Sequence, residues 1–333
     1  MHPFTYVAVT NQGHAIDALT ANPRSAFVAG GTNLLDDMKL GVETPEHLID
    51  VNALALNRIE PLPGGGLRIG ALVRNSDLAW DPAVRERYPV LSEALLSGAS
   101  PQLRNMATTA GNLLQRTRCT YFRDVSYAAC NKRRPGSGCA AIDGFNRSHA
   151  ILGVSDQCIA THPSDMCVAM AALDAVIHIA GSKGERAVAL NEFYVAYGED
   201  PARENVLAHG DLITAVDLPA LPWAKRSHYF KVRDRASYEF ALASAAVALD
   251  LENGSIRAAR IALGGVGAKP WRAYEAEKAL VGKKPGEEAF KAAATAALAG
   301  ARPRKFNAFK VDLAQRTIVA ALLNVMFEKR TEQ

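Results

Sequence analysis

Five cysteines stand in a chain of 333 residues, and four of them, Cys119, Cys130, Cys139 and Cys158, fall within 40 consecutive positions, with Cys167 close behind. Thiolates ligate zinc and iron–sulfur clusters, whereas a disulfide framework belongs to short chains that are cysteine-dense throughout. Buried free thiols are the plain alternative, because cysteine is a common core residue. Spacing alone leaves ligation and burial open. The intervals of 10, 8 and 18 intervening residues contain none of the close pairs that structural zinc favours, which argues against a zinc-binding scaffold.

A second chemistry, the seating of a phosphorylated cofactor, is offered by three polar turns. Ala29-Gly30-Gly31-Thr32-Asn33-Leu34 follows an apolar run and opens a helix, so its backbone can approach an anion closely. It is neither G-x-G-x-x-G nor a P-loop, and a simple strand–turn–helix corner explains it equally well. Ala107 to Leu114 places Thr108, Thr109, Gly111 and Asn112 in a comparable turn, and Thr161-His-Pro-Ser-Asp-Met opens directly onto a helix. Ser164 or Asp165 there is explained by capping, or by hydrogen bonds to a ribose or ribityl chain. Lys231-Val-Arg-Asp-Arg is a charged patch between apolar strands, either a solvated edge or a cation beside a flavin ring. No Ser-His-Asp arrangement or isolated general base suggests hydrolytic chemistry, so no residue is assigned a catalytic role.

The elements that must position these turns alternate as short strands and helices. Ser25 to Val28, Leu48 to Val51, Gly66 to Val73, Ala175 to Ala180, Arg186 to Leu190 and Asp211 to Leu218 read as strands, the fourth and fifth as a hairpin. Helical spacing marks Tyr88 to Ser97, the compact apolar run from Met166, Glu287 to Ala301 and Asp312 to Lys329, with Ser76 as a candidate cap for a further helix. Phe240 to Ala246 looks helix-like between strands. The stretch from Ala99 to Ser164 lacks periodicity, and so long an irregular segment is usually functional. Two prolines bracket Pro219 to Pro222 and place a domain boundary near residue 223. Strands outside a strict βαβ rhythm, with helices gathered on them, argue an α+β fold.

Composition narrows the function. With 49% hydrophobic and 22% charged residues the chain is globular, and its length suits two or three domains. A net charge of +4 from 38 basic and 34 acidic residues does not by itself imply nucleic-acid binding. No apolar run approaches the roughly 18 to 20 residues of a membrane span. The opening Met1 to Tyr6 has neither the basic tract nor the apolar core of a secretion signal.

The order of the motifs carries more than each one singly. Val28-Ala-Gly-Gly-Thr-Asn-Leu, Arg104-Asn-Met-Ala-Thr-Thr-Ala-Gly-Asn, His162-Pro-Ser-Asp, Asp211-Leu-Ile-Thr-Ala-Val-Asp-Leu-Pro and Lys231-Val-Arg-Asp-Arg succeed one another, and Ala262-Leu-Gly-Gly-Val-Gly-Ala-Lys-Pro follows. In these the chain resembles, from Phe4 to the last helix, the FAD-binding subunit of the molybdenum hydroxylases, the family of xanthine dehydrogenase, carbon monoxide dehydrogenase and aldehyde oxidoreductases. The resemblance implies a flavin fold of the vanillyl-alcohol-oxidase (PCMH) type over residues 1–222, in subdomains of about 1–57 and 58–222, and a C-terminal α+β domain over 223–333. It implies that Ala29, Gly30, Gly31, Thr32, Asn33 and Leu34, with Thr108, Thr109, Gly111 and Asn112, hold the FAD diphosphate. Asp165 would bond the flavin's polar chain, Ile213 pack on the isoalloxazine, and Lys231 lie near the ring's polar edge, stabilising the anionic reduced flavin and raising its potential.

The segment 115–158 is an insert of the kind found in two branches of the family, the bacterial three-subunit aldehyde oxidoreductases and the hydroxybenzoyl-CoA reductases, and the wording around Cys130 and Ala160 is closer to the first. This resemblance implies one 4Fe–4S cluster on Cys119, Cys130, Cys139 and Cys158, with Cys167 a bystander. The insert's seven cations against three aspartates, from Arg116 to Asp156, are expected to lower the thiol pKa values. The implied function is electron transfer in an aldehyde oxidoreductase: from a molybdenum cofactor on a large partner, through 2Fe–2S centres on a small one, to FAD here and then to an external acceptor. A hydroxybenzoyl-CoA reductase-like or xanthine dehydrogenase-like complex is the alternative, and a stand-alone flavin oxidase or reductase of the same fold a lower-ranked one. Location in the periplasm, as passenger of a twin-arginine-signalled partner, is the expectation from the resemblance; cytoplasmic retention is the other.

Overall fold

The structure, a computed structural model, describes residues 1–198 and 200–327. Three sheets organise it. The N-terminal sheet is parallel, with strands β1 (Thr5–Ala8), β2 (Ser25–Val28) and β3 (His47–Asp50) in the order β1-β3-β2. The second is antiparallel and five-stranded, β4 (Ile59–Pro61), β5 (Leu67–Gly70), β6 (Val176–Gly181), β7 (Gly184–Ala189) and β8 (Leu212–Leu218) in the order β4-β5-β8-β6-β7. The third is β9 (Ser227–Val232), β10 (Ala243–Glu252), β11 (Ser255–Gly264) and β12 (Trp271–Arg272), in the order β12-β11-β10-β9. This mix of one parallel and two antiparallel sheets with helices packed on them is consistent with the expected α+β fold.

One helix joins the last two sheets. Asp165–Ala172 is apolar around its whole circumference, and every residue from Met166 to Ala172 is buried, as such a helix must be. Ser164 caps it, accepting from the Cys167 amide at 3.0 Å. Its core includes Ile69, Ile177 and Val216 of the middle sheet together with Tyr229, Ala246 and Ala262 of the C-terminal one. The boundary expected near residue 223 falls in a short 3-10 turn, Pro222–Lys225, yet the two sides share this core. A second core lies on the other face of the C-terminal sheet, where Val247, Leu249 and Ile261 pack on Phe290, Ile318 and Leu322.

Two local readings change. Phe240 to Ala246 is not helical: β10 starts at Ala243 and its first eight residues are buried. Alanine favours a helix in isolation, but small side chains let this strand pass between two layers of helices, and packing overrides propensity. Ser76 does not cap, because the helix Asn75–Trp80 starts one residue earlier, behind Arg74. The final helix runs Phe309–Phe327, so Lys329 lies outside the described residues.

That helix carries a fully buried lysine. Lys310 Nζ donates to the Gly265 carbonyl at 2.6 Å, and burial, with a contribution from Arg147 opposed by Asp234, lowers its pKa to about 7. Between about pH 7 and the ordinary lysine value the native amine is neutral while the unfolded one is protonated. Unfolding therefore takes up a proton, and stability rises with pH across that window. Lys310→Met should raise the melting temperature at pH 7 by about 2 °C or more and flatten its rise towards pH 9, as thermal denaturation at the two pH values would read.

Candidate functional site

The first glycine loop leaves β2 and lies directly on the backbone that leads into the second. A Cβ at Gly30 would stand 2.0 Å from the Met106 carbonyl oxygen, and Gly31 has φ +70°. The second loop is held from within. Thr108 accepts from the Gly111 amide at 3.2 Å, and Thr109 donates to the Val73 carbonyl at 3.1 Å, both side chains being buried. Asn112 Oδ1 accepts from Ser164 Oγ at 2.6 Å, which ties the second loop to the third turn. All three turns thus meet.

They border a cleft of two lobes, of about 350 and 310 Å3, which share Thr32, Asn33 and Gly111. The first lobe lies between the middle subdomain and the C-terminal sheet. Its lining includes Asn112, Asp165, Arg118, Lys231 and Phe240. The second lies between the N-terminal and middle subdomains and is more apolar, with Phe27, Val28, Leu54, Leu72 and Ile213. Ala29, Gly30, Gly31, Leu34 and Thr108 also face the second lobe, whereas Thr109 lines neither. Ile213 and Lys231, expected on one ring, line different lobes.

Lys231 and Asp165 form the most enclosed ion pair of the cleft, Nζ to Oδ2 at 2.7 Å. Lys231 also donates to the Ser97 carbonyl at 3.2 Å, and the Tyr229 hydroxyl donates to Asp165 Oδ1 at 2.6 Å. Burial and the Asp165 charge push the Tyr229 pKa well above its usual value, so it remains a hydrogen-bond donor. Sequence reasoning missed Tyr229 and Arg118. The first looked like a strand residue, and the second was pooled with the insert's charge, although it lines the first lobe with its guanidinium over the Phe240 ring.

The insert gathers its four cysteines. Cys130 and Cys139 face each other across an antiparallel bridge, closed by Asn131 N–H to Gly138 O at 2.8 Å and Ala140 N–H to Ala129 O at 2.9 Å. Cys119 precedes the short helix Thr120–Arg123, and Cys158 packs with the others around Phe122, Ile159, Ala160 and Tyr197. Backbone amides point at the sulfurs, those of Ala141, Ile142 and Ile159 at Cys139 and those of Tyr121 and Phe122 at Cys119. His149 Nε2 lies 3.1 Å from Cys119 Sγ. Cys167 belongs instead to the main core, beside the Tyr194 hydroxyl at 3.1 Å. Among the described residues no three His, Cys, Asp or Glu side chains are set to hold a single metal ion.

The expected general lowering of the thiol pKa values does not occur. Burial pushes Cys119 up to about 12; a hydrogen bond with Cys139, and then burial, raise Cys158 further, and the same bond draws Cys139 down to about 6. Most of the cations are committed elsewhere. Arg123 pairs with Asp36 and Asp37, Arg116 with Glu43 and Glu204, and Lys132 with Glu204. Arg133 donates to the carbonyls of Tyr121, Phe122 and Tyr127, and Arg147 pairs with Asp234.

A two-subdomain α+β scaffold with a glycine-lined junction between two lobes suits an elongated ligand that is narrow at its middle. The family model described as the FAD binding domain in molybdopterin dehydrogenase matches residues 2–221, and that of the CO dehydrogenase flavoprotein C-terminal domain matches 228–325; the chain belongs to this family. It is 52% identical over 323 residues, 97% of this chain and 98% of the relative, to the aldehyde oxidoreductase FAD-binding subunit PaoB of Escherichia coli K12. It is 29% identical, over 87% of this chain and 86% of the relative, to the glyceraldehyde dehydrogenase medium chain of Sulfolobus acidocaldarius. Among solved structures, a carbon monoxide dehydrogenase chain from Hydrogenophaga pseudoflava superposes with a TM-score of 0.76 at 27% identity, over 98% of both chains.

The Gly30 contact yields a direct test. Gly30→Ala should force the two loops apart and strip most of the flavin from the purified protein, read as the absorbance ratio of flavin to protein, while Gly300→Ala, whose Cβ meets nothing within 4 Å on a backbone without positive φ, retains it.

Proposed function

We propose that this chain is the FAD-binding, electron-transferring subunit of a molybdenum-dependent aldehyde oxidoreductase that converts aldehyde to carboxylic acid. The observation that carries the reading is the two-lobed cleft, joined at the glycine loops, in a chain so similar along its whole length to an aldehyde oxidoreductase flavin subunit. The residues fit the cofactor. Thr32, Asn33 and Gly111, common to both lobes, suit the diphosphate, leaving one planar ring for each lobe. The apolar lobe with Ile213 suits adenine, and the lobe with Asp165 and Lys231 suits the ribityl chain and isoalloxazine. Ile213 is therefore assigned to the adenine end. FAD, when bound, supplies the capacity to take up and release electrons. The chain's own residues hold it: Asp165 and Tyr229 fix Lys231, and Lys231 presents a cation where a reduced ring gains negative charge. Lys231→Met should lower the flavin potential by on the order of 30 mV, a tenfold change in a two-electron equilibrium, measured by equilibrium dye titration.

The insert is read as the seat of one 4Fe–4S cluster on Cys119, Cys130, Cys139 and Cys158. What supports it is the donor set: three buried thiols with the half-buried Cys139 in one cluster, and backbone amides aimed at sulfurs. Ligation would replace the proton that burial holds on Cys119 and the one that the Cys139 hydrogen bond and burial hold on Cys158. Partners in this proposal are a large molybdenum-cofactor subunit and a small 2Fe–2S subunit, with discharge to an external acceptor; the proposed location is the periplasm, as a passenger of the small subunit's leader, with cytoplasmic retention the alternative.

Co-expression with both partners tests the whole reading. A complex with flavin absorbance near about 450 nm and aldehyde-dependent dye reduction is expected; absence of flavin sinks the assignment. Serine at Cys119, Cys130, Cys139 or Cys158 should each remove cluster iron, whereas Cys167→Ser should keep it. Retention of full iron in the four single variants would refute the ligand set.

A further inference from the structure

The junction read as the flavin seat gathers carboxylates whose charge is met largely by the cysteine insert. Asp36 lines the first lobe, and Asp37 and Glu43 line the second, so three carboxylates flank the place read as the diphosphate seat. Asp37 is 1% exposed. A diphosphate is itself doubly anionic, and like charges held in a partly dehydrated cleft repel strongly.

Two insert arginines meet these carboxylates. Arg123 spans Asp36 and Asp37, with Nη1 2.9 Å from Asp37 Oδ1. Arg116 reaches Glu43 and, at 2.8 Å, Glu204. The same contacts fix Asn33, which faces both lobes. Its Oδ1 accepts the Arg116 backbone N–H at 2.7 Å, and its Nδ2 donates to Asp37 Oδ2 at 2.9 Å. The amide is therefore oriented from one side by the insert and from the other by a carboxylate that Arg123 holds.

We propose that Arg123, seconded by Arg116, is a positioning residue for the flavin diphosphate: the insert neutralises Asp36 and Asp37 and fixes Asn33, so that the junction accepts an anion. The inference rests on the FAD reading above. It gives the insert a role in flavin binding that does not require its cysteines to lie on an electron path.

The test is FAD titration of the deflavinated complex, followed by flavin fluorescence. Arg123→Gln should weaken FAD roughly ten- to a hundredfold, and ADP, which carries the same diphosphate, should lose competing affinity by a similar factor. Arg123→Lys should lose less affinity than Arg123→Gln, because it keeps the charge although one ammonium cannot span Asp36 and Asp37 as the guanidinium does. Adding Asp37→Asn to Arg123→Gln should recover most of the loss, and iron content should be unchanged throughout. Wild-type FAD affinity in Arg123→Gln would overturn the proposal. So would undiminished ADP binding, no recovery in the double variant, or loss of iron together with flavin, which would make Arg123 a support of the insert alone. A wild-type complex that takes up no FAD would instead defeat the cofactor reading itself.

Discussion

The contact between Gly30 and the Met106 carbonyl is the constraint on which the cleft depends. Two loops from different subdomains approach so closely there that no side chain fits between them. Neither loop could do this alone. The first is aimed by a three-stranded parallel sheet, the second by its hydrogen bonds to Val73 and Ala71. Their meeting divides the space around them into two lobes rather than one, and a molecule that fills both must be narrow at the middle and broad at each end. A dinucleotide has that shape. The fold thus acts first through backbone geometry, and the side chains refine a division already made.

Charge burial attaches the insert to this frame. Lys132 and Asp37 are almost fully buried, and Arg116, Arg123, Glu43 and Glu204 are partly so. Burial alone would raise the Glu204 pKa, but Lys132 and Arg116 outweigh it and the value ends below the ordinary carboxylate range. Asp37 shows the opposite balance: burial prevails over Arg123 and its neighbours and the value rises. Taking such groups from water costs several kcal/mol per ion, and removal of one partner strands the other. The pairs are therefore a weak source of net stability but a strong source of register. The insert cannot shift against the first glycine loop without leaving charges unmatched.

Legibility in the sequence followed the range of the interactions. The hairpin of β6 and β7, the strand ending at Leu218 and the helix after Ser164 were readable because period, turn residues and caps are local signals. The meeting of the three polar turns was visible only through family resemblance, since nothing local says that Gly30 packs on Met106. Alanines in β10 misled because their state is set by the two layers they separate. Ile213 and Lys231, which the resemblance assigns to one ring, line different lobes, and that is a matter of which subdomains face each other rather than of any local signal. The thiol pKa values were misjudged for a related reason. Counting cations near cysteines ignored the carboxylates and carbonyls, distant in sequence, that take them up.

With the cofactor seated as proposed, the two lobes would also differ in what they ask of the protein. An adenine keeps its charge throughout a redox cycle, so an apolar slot between two subdomains suffices for it. A flavin ring changes charge on reduction, and its surroundings must tolerate both states. In that reading Lys231 would answer this as half of a pair: its charge is balanced by Asp165 at 2.7 Å, and the same ammonium would face the added charge of a reduced ring. Tyr229 braces the pair, since its hydroxyl donates to Asp165 Oδ1 and lies 2.8 Å from Ser244 Oγ. Asp165 comes from the helix that joins the middle and C-terminal sheets, Lys231 from β9 and Ser244 from β10. A shared core under that helix thus becomes a functional requirement, because two domains free to move apart would separate the cation from its counter-ion.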